Sequence, residues 1–281
     1  MPSYQSFIVK LLIILLISMM GLNITPAFAS ISLSKNYVLF DNKTRNQDNI
    51  IFNRSNKKQK YKISFLHFTQ NTDGSYTTIE EETDKIKFAE KFLMYTPRSF
   101  TLEPEGYQLI RMQKRSMIEA SEGEYITHML ISEEPNEKFF DEDRDIEAEE
   151  DEKGLSFNIQ QLFAVSFPIV IRKGDLPVIV QLKEAIFKEE GDNLSLNLAI
   201  AREGNRSVRG VLSLKRKNKI IFQNTGINIF LNSNLRTVSI NLADSAKAKA
   251  NLIKEIKGKN IIIEYQDEAT KEVYFQDIIT Y

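Results

Sequence analysis

The chain has 281 residues, with 37 basic and 38 acidic side chains and a formal net charge of −1. This near balance argues against a dedicated nucleic-acid binder, so we expect no nucleic acid among the partners. Cysteine is absent, which excludes disulfides and a thiol nucleophile. Each domain must therefore be stabilised by its own apolar core.

Residues 1–29 have the layout of a secretory signal peptide. Lys10 precedes an apolar run over residues 11–22, and Ala27 and Ala29 supply the small residues of a cleavage site. We predict export with cleavage after Ala29. A membrane anchor is the alternative interpretation, but the apolar run is short for a bilayer span, and no stable membrane insertion is expected.

Alternating apolar and polar residues predict strands through most of the remaining chain. Such alternation occurs at residues 61–65, 125–130 and 194–200, and Asn, Asp and Gly clusters separate the runs. Many short strands at this spacing indicate an all-β sandwich or barrel. Residues 244–259 are the one stretch where a short helix is expected, with a loop as the alternative.

Two domains are predicted. Gly174 and Pro177 interrupt two strongly apolar runs, so we place a boundary there, with one domain at residues 30–174 and a second at 175–281. Both lengths suit immunoglobulin-like sandwiches, the first enlarged by an insertion.

That insertion is an acidic loop at residues 133–153, which contains twelve Asp or Glu and three Lys or Arg. A solvated loop is the interpretation that this composition favours. Calcium binding is the alternative, but the segment lacks the glycine and the ligand spacing of a helix-loop-helix site, so no metal is predicted.

Catalysis finds little support in the sequence. The two histidines, His67 and His128, lie within strand patterns, where packing or surface roles are expected. No nucleophile elbow, phosphate loop or zinc-protease motif occurs. We therefore predict that the protein is not an enzyme and needs no cofactor. The basic run at residues 215–219 is predicted to form a solvated hairpin tip.

Several segments carry a family resemblance. Residues 95–111 lead to Gly123-Glu124-Tyr125, and a long strand-like run over residues 155–172 follows the acidic loop. Together with residues 202–210 and 234–236, they resemble periplasmic pilus and fimbrial assembly chaperones of the PapD-like family, in a divergent branch. The resemblance implies two immunoglobulin-like β-sandwich domains in a boomerang arrangement.

The resemblance also implies a function. In this family the long strand of the first domain is lent to a pilus subunit that lacks one strand, which is donor-strand complementation. Leu155, Phe157 and Ile159 alternate and would face the subunit, and Leu162 resumes on the other phase after a predicted bulge. The alternative is that this strand only completes its own domain.

Family members hold the carboxylate of the subunit's C-terminus with two cations. Matching the motifs places Tyr37 and Ser166 at those positions, and neither is cationic. Lys35 and Arg172 are the candidate anchors instead.

The expected partners are pilin or fimbrial subunits and an outer-membrane usher, and the expected location is the periplasm. Two other classes stay open. A secreted structural or adhesive β-sandwich surface protein would share the signal and the strands, and a secreted hydrolase would need a polar constellation that the sequence does not show.

Overall fold

Strands make up nearly all of the regular structure that the computed structural model describes, which covers residues 30–135, 161–217 and 219–281. Eighteen strands and one α-helix lie in these ranges. Their order along the chain gives two sandwiches, one before residue 174 and one after it. This confirms the predicted all-β fold of two sandwiches.

The first sandwich contains eleven strands in two facing sheets and a small hairpin. One sheet has the order β1-β3-β9-β7, the other has the order β2-β11-β10-β4-β8, and β5 pairs with β6. The strands are β1 (Ile31–Leu33), β2 (Val38–Phe40), β3 (Asn46–Asn53), β4 (Gln59–Leu66), β5 (Phe68–Gln70), β6 (Tyr76–Thr78), β7 (Leu93–Thr96), β8 (Ser99–Leu102), β9 (Tyr107–Lys114), β10 (Gly123–Glu133) and β11 (Ala164–Lys173).

The core of this sandwich lies between the sheets. Ile51 and Ile110 from one sheet and Met129 and Phe167 from the other are fully buried in one cluster. Each of these residues belongs to the alternate positions of its strand whose side chains point toward the opposite sheet. One of the two sets of alternate residues seen in the sequence is therefore the inward face.

The chain from residue 31 to residue 40 forms two strands rather than one. β1 pairs with β3 in the first sheet, whereas β2 pairs in parallel with β11 in the second. Between them, the buried amide of Asn49 accepts the Lys35 N–H at 2.9 Å and donates to the Lys35 carbonyl at 2.8 Å. Asn49 thus satisfies the backbone where the chain crosses from one sheet to the other.

The second sandwich is built in the same way. Sheets with the orders β12-β13-β16 and β15-β14-β17-β18 enclose a core that includes Leu196, Leu212 and Tyr265. Its elements are β12 (Val178–Glu190), β13 (Asn193–Gly204), β14 (Val208–Arg216), β15 (Lys219–Ile229), β16 (Leu235–Ala243), α1 (Ala246–Ile256), β17 (Asn260–Asp267) and β18 (Val273–Thr280).

The helix confirms the expectation for residues 244–259. The hydroxyl of Ser245 accepts the Ala248 N–H as an N-cap, and Ile256 is buried in the second core. β14 and β15 form the hairpin expected around the basic run, with Lys217 at a positive φ of 46°. Within the described ranges, no helix is both long enough and apolar enough to cross a membrane.

The two sandwiches contact each other over a polar patch and an aromatic patch. In the polar patch, the Glu124 carboxylate accepts the Ser207 N–H at 3.1 Å. In the aromatic patch, Phe230 packs near Tyr76 and His128, and its N–H donates to Gln70 at 2.9 Å. These contacts fix the second sandwich against β10 and the β5–β6 hairpin.

Candidate functional site

The outer edge of β11 is one of the strand edges of the first sandwich that has an incomplete set of neighbours. β10 pairs with the whole of β11, from Ala164 to Lys173. On the other side, β2 covers only the three residues from Ile169 to Ile171. From Ala164 to Pro168, no described strand lies along the outer side of β11.

The backbone groups of β11 alternate between these two sides. The Glu133 N–H donates to the Phe163 carbonyl at 2.9 Å, so Phe163 and every second residue after it turn their backbone groups toward β10. Ala164, Ser166 and Pro168 therefore turn theirs outward. Pro168 has no N–H to donate, and the register with β10 passes through it without a shift.

Apolar side chains are exposed where this edge begins. Leu162 is 42% exposed and Phe163 is 40% exposed, although both are large and apolar. Val165 is half-buried against the core and Phe167 is fully buried. The edge thus changes from a solvent-exposed apolar segment to an ordinary core strand within about five residues.

Of the four residues predicted to face a subunit, Leu162 is described and exposed. Leu155, Phe157 and Ile159 lie outside the described residues. The acidic loop at 133–153 needs one correction, because Glu133 belongs to β10. Its buried carboxylate accepts the Ser30 hydroxyl at 2.7 Å and the Phe163 N–H at 3.0 Å, which fixes the start of the free edge.

The two candidate anchors line one cavity. A space of about 310 Å³ lies between β2, the end of β11 and the second sandwich, and both Lys35 and Arg172 border it. Arg209, Asp267 and Glu268 border it from the other side. The structure therefore brings together the two cations that the sequence proposed, in a cavity that also contains carboxylates.

Arg172 is already engaged. Its Nε donates to Glu124 at 2.9 Å and one terminal nitrogen donates to the Ser207 carbonyl at 2.8 Å. Burial is the largest single influence and acts to lower the pKa of Arg172, but Glu124, Tyr37 and Tyr274 together outweigh it, and the pKa is raised overall. Arg172 therefore joins the two sandwiches.

Lys35 is exposed, and its ammonium donates to the neutral Gln47 side chain at 2.9 Å. Across the cavity, Arg209 is paired with Glu268 at 2.5 Å. Lys35 is thus the lining cation whose charge no described carboxylate neutralises.

The residues at the expected cationic positions have other roles. Tyr37 packs under the guanidinium of Arg209, 5.1 Å from the ring centre, and burial raises its pKa to about 12. Ser166 is exposed on the free edge. Neither can provide a positive charge.

Sequence reasoning missed two features of this site, the contact between Glu124 and Ser207 and the role of Pro168. Glu124 and Ser207 form the contact between the sandwiches, and nothing in the sequence pairs residues so far apart. Pro168 did carry a signal, because a proline inside a strand pattern indicates an unpaired edge.

Among known proteins, similarity to this chain is found in solved structures and not in sequence. No family model and no curated relative matches the chain. The chain is similar in structure to chaperones of pilus and fimbria assembly.

The class 5 fimbriae chaperone CfaA shares 10% identity, with 89% of this chain and 99% of that chain covered and a TM-score of 0.42. The Escherichia coli (E. coli) chaperone DraB shares 9%, with 90% and 99% covered and a TM-score of 0.39. A complex of CsuC with the tip subunit CsuE, from archaic chaperone-usher pili of Acinetobacter baumannii, shares 12%, with 89% and 97% covered and a TM-score of 0.42.

Proposed function

We propose that the protein is a chaperone for pilus or fimbrial subunits, and that it lends the outer edge of β11 to a subunit that lacks one strand. The observation that carries this proposal is the free edge from Ala164 to Pro168, preceded by the exposed side chains of Leu162 and Phe163. The proposal gives this chain the kind of client that the similar structures name, a pilin or a tip subunit.

The lent edge would satisfy the client in two ways. Ala164 and Ser166 each offer an outward N–H and carbonyl, so a guest strand finds backbone partners. Leu155, Phe157 and Ile159 would fill the client's groove at alternate positions. Each apolar side chain that becomes fully buried contributes about 1.5–3 kcal/mol, so three would protect an incomplete subunit from aggregation.

The end of the client would be held in the cavity between the sandwiches. We assign Lys35 as the cation that receives a C-terminal carboxylate, because Arg172 is occupied by Glu124 and Ser207. A carboxylate beside an ammonium gains a charge-assisted hydrogen bond. Arg172 would then orient the cavity without binding the client directly.

The same proposal places the protein in the periplasm after cleavage at Ala29 and has it deliver its client to an outer-membrane usher. No nucleotide is required in this scheme. The free energy comes from exchanging a loosely fitted strand for a better one as the subunit completes its own fold.

The role of the free edge can be tested by removing one backbone N–H group from it. Ser166→Pro deletes an outward N–H but no bond to β10, whereas Ser166→Ala keeps that N–H. We expect Ser166→Pro to lower recovery of a candidate pilin co-purified from periplasm, and Ser166→Ala to leave it unchanged. Circular dichroism melting checks that both variants fold.

A second pair of variants tests the predicted groove residues. Phe157→Asp and Ile159→Asp place a charge where the client is apolar, so pilin recovery should be lost. If Ser166→Pro and both Asp variants retain the pilin, the lending mechanism is wrong. A chain that binds no pilin but adheres to a surface or matrix would instead support the structural or adhesive alternative.

A further inference from the structure

A second cavity, of about 570 Å³, lies where three strand ends of the first sandwich meet. The loop after β2, the end of β9 with the loop after it, and the end of β11 form its walls. Among the described residues that line it, none is acidic. Its cations are Lys43, Arg45, Lys114, Arg115, Arg172 and Lys173.

Two of these lysines hold the walls in place. The Lys173 ammonium donates to the carbonyls of Met117, Ile118 and Ala120, at 2.7, 3.1 and 2.6 Å. The Lys114 ammonium donates to the carbonyl of Asp41. Carbonyl groups are neutral, so both positive charges remain. Burial lowers the pKa of Lys114, because desolvation disfavours its charged form.

The other cations are exposed at the mouth. Lys43, Arg45 and Arg115 form no ion pair with any carboxylate of the described residues. The carboxylate of Asp41, in the loop that forms one wall, accepts the N–H groups of Lys43 and Thr44 at 2.9 and 2.7 Å. Arg172 is neutralised separately by Glu124.

We propose that this cavity binds a phosphate-bearing anion, with Arg45, Arg115 and Lys43 as direct ligands. Five positive charges border one opening and no described acidic residue lines it, so the ligand must carry several negative charges in a small volume. Phosphate groups do so, and the forked guanidinium groups match their oxygens. The hydroxyl groups of Thr44 and Ser116 also line the cavity and add neutral donors.

Two kinds of molecule carry such a phosphate group, a soluble phosphate compound and an anionic lipid with a phosphate headgroup. The exposed side chain of Ile118 stands at the rim, 87% accessible, where it could enter a lipid surface. The site does not depend on the subunit-binding edge, because its lining residues exclude Ala164 to Pro168.

The test uses the full mature chain and titration calorimetry with inorganic tripolyphosphate. Arg45→Gln with Arg115→Gln removes two direct ligands. Arg54→Gln with Arg111→Gln removes the same charge from exposed arginines elsewhere on the first sandwich, where each pairs with a carboxylate at 3.4 Å. We expect about tenfold or greater loss of affinity in the first variant and little change in the second.

Sedimentation with vesicles separates the two sources. Binding to phosphatidylglycerol vesicles that exceeds binding to phosphatidylcholine vesicles, and that falls in the Arg45/Arg115 variant, identifies a lipid headgroup. Tripolyphosphate binding without vesicle binding identifies a soluble phosphate compound. The proposal is overturned by absent tripolyphosphate binding, by equal losses in both variants, or by tighter binding of a peptide with the sequence of residues 141–152.

Discussion

At the scale of single residues, His128 is a titratable side chain buried in the aromatic contact between the sandwiches. It is 5% exposed, lies against Phe68 and Phe230, and its Nδ1 has no hydrogen-bond partner among the described residues. Desolvation, with a smaller contribution from His67, lowers the pKa of His128 to about 4. Folding therefore requires the neutral imidazole.

This requirement makes stability depend on pH. An unfolded histidine has a pKa near 6.5, so the contribution of His128 is fully present above that pH and is lost as the pH falls toward 4. The expected loss is on the order of 3 kcal/mol. Urea unfolding of wild type and His128→Phe between pH 7 and 4 measures it.

The variant should lose less stability than wild type over this range, because phenylalanine does not titrate and suits the aromatic surroundings. His67, whose pKa is lowered by burial, titrates in both proteins, so the difference between the two curves is the quantity of interest. Parallel curves would show that His128 is not the responsible group.

At the scale of elements, lysine side chains hold loops that have little regular structure. The three carbonyls bound by Lys173 belong to the connection between β9 and β10. This ammonium satisfies the backbone carbonyls of the loop, as the hydrogen bonds between paired strands do in a sheet.

Lys173→Met should therefore loosen that connection without unfolding the sandwich. Charge-assisted hydrogen bonds contribute about 1.5–3 kcal/mol, so amide exchange around residues 117–121 should accelerate about tenfold or more. Lys183→Met is the matched control, since Lys183 is exposed and contacts only Gln181 on its own strand. Equal exchange in both variants would show that Lys173 does not hold the loop.

The elements also show how far sequence reasoning reaches. Alternation at residues 61–65, 125–130 and 194–200 predicted strands β4, β10 and β13, because successive side chains of a strand point to opposite faces. It did not predict the crossing between β1 and β2, which depends on the buried side chain of Asn49, nor the partners of Arg172. Those depend on contacts between distant residues, which a local pattern does not contain.

The candidate site also contains parts that the sequence predicted and parts that it could not predict. The sequence pointed to the strand that became β11 and to Lys35 and Arg172, and these two cations border one cavity. It could not tell that Arg172 is already paired with Glu124, or that the free edge extends from Ala164 to Pro168, because both follow from how β10 and β11 pair with their neighbours. The roles of Leu155, Phe157 and Ile159 remain predictions.

At the scale of the whole molecule, Glu124 is the central contact between the sandwiches. Its side chain is 2% exposed and it receives hydrogen bonds from Arg172 in its own sandwich and from Ser207 in the other. The cavity that contains Lys35 therefore depends on the position of one carboxylate.

Glu124→Ala should cost about 3 kcal/mol or more of stability, because it leaves the Arg172 guanidinium largely buried without its partner. Glu103→Ala breaks an exposed pair with Lys58 and should cost about 1 kcal/mol or less. Urea unfolding followed by circular dichroism compares the two. Similar costs would mean that the sandwiches are held together elsewhere.

If β11 lends its edge as proposed, the short length of β2 has a consequence for every guest strand. β2 pairs with the outer side of β11 from Ile169 to Ile171. An incoming polypeptide that pairs along Ala164 to Pro168 therefore meets the end of β2, and its pairing with β11 stops there. This stop would give all clients one common register, and hence one fixed spacing between the last side chain they accept and their own terminus. A protein that fixes the register in this way can bind unrelated subunits, provided that they share that spacing.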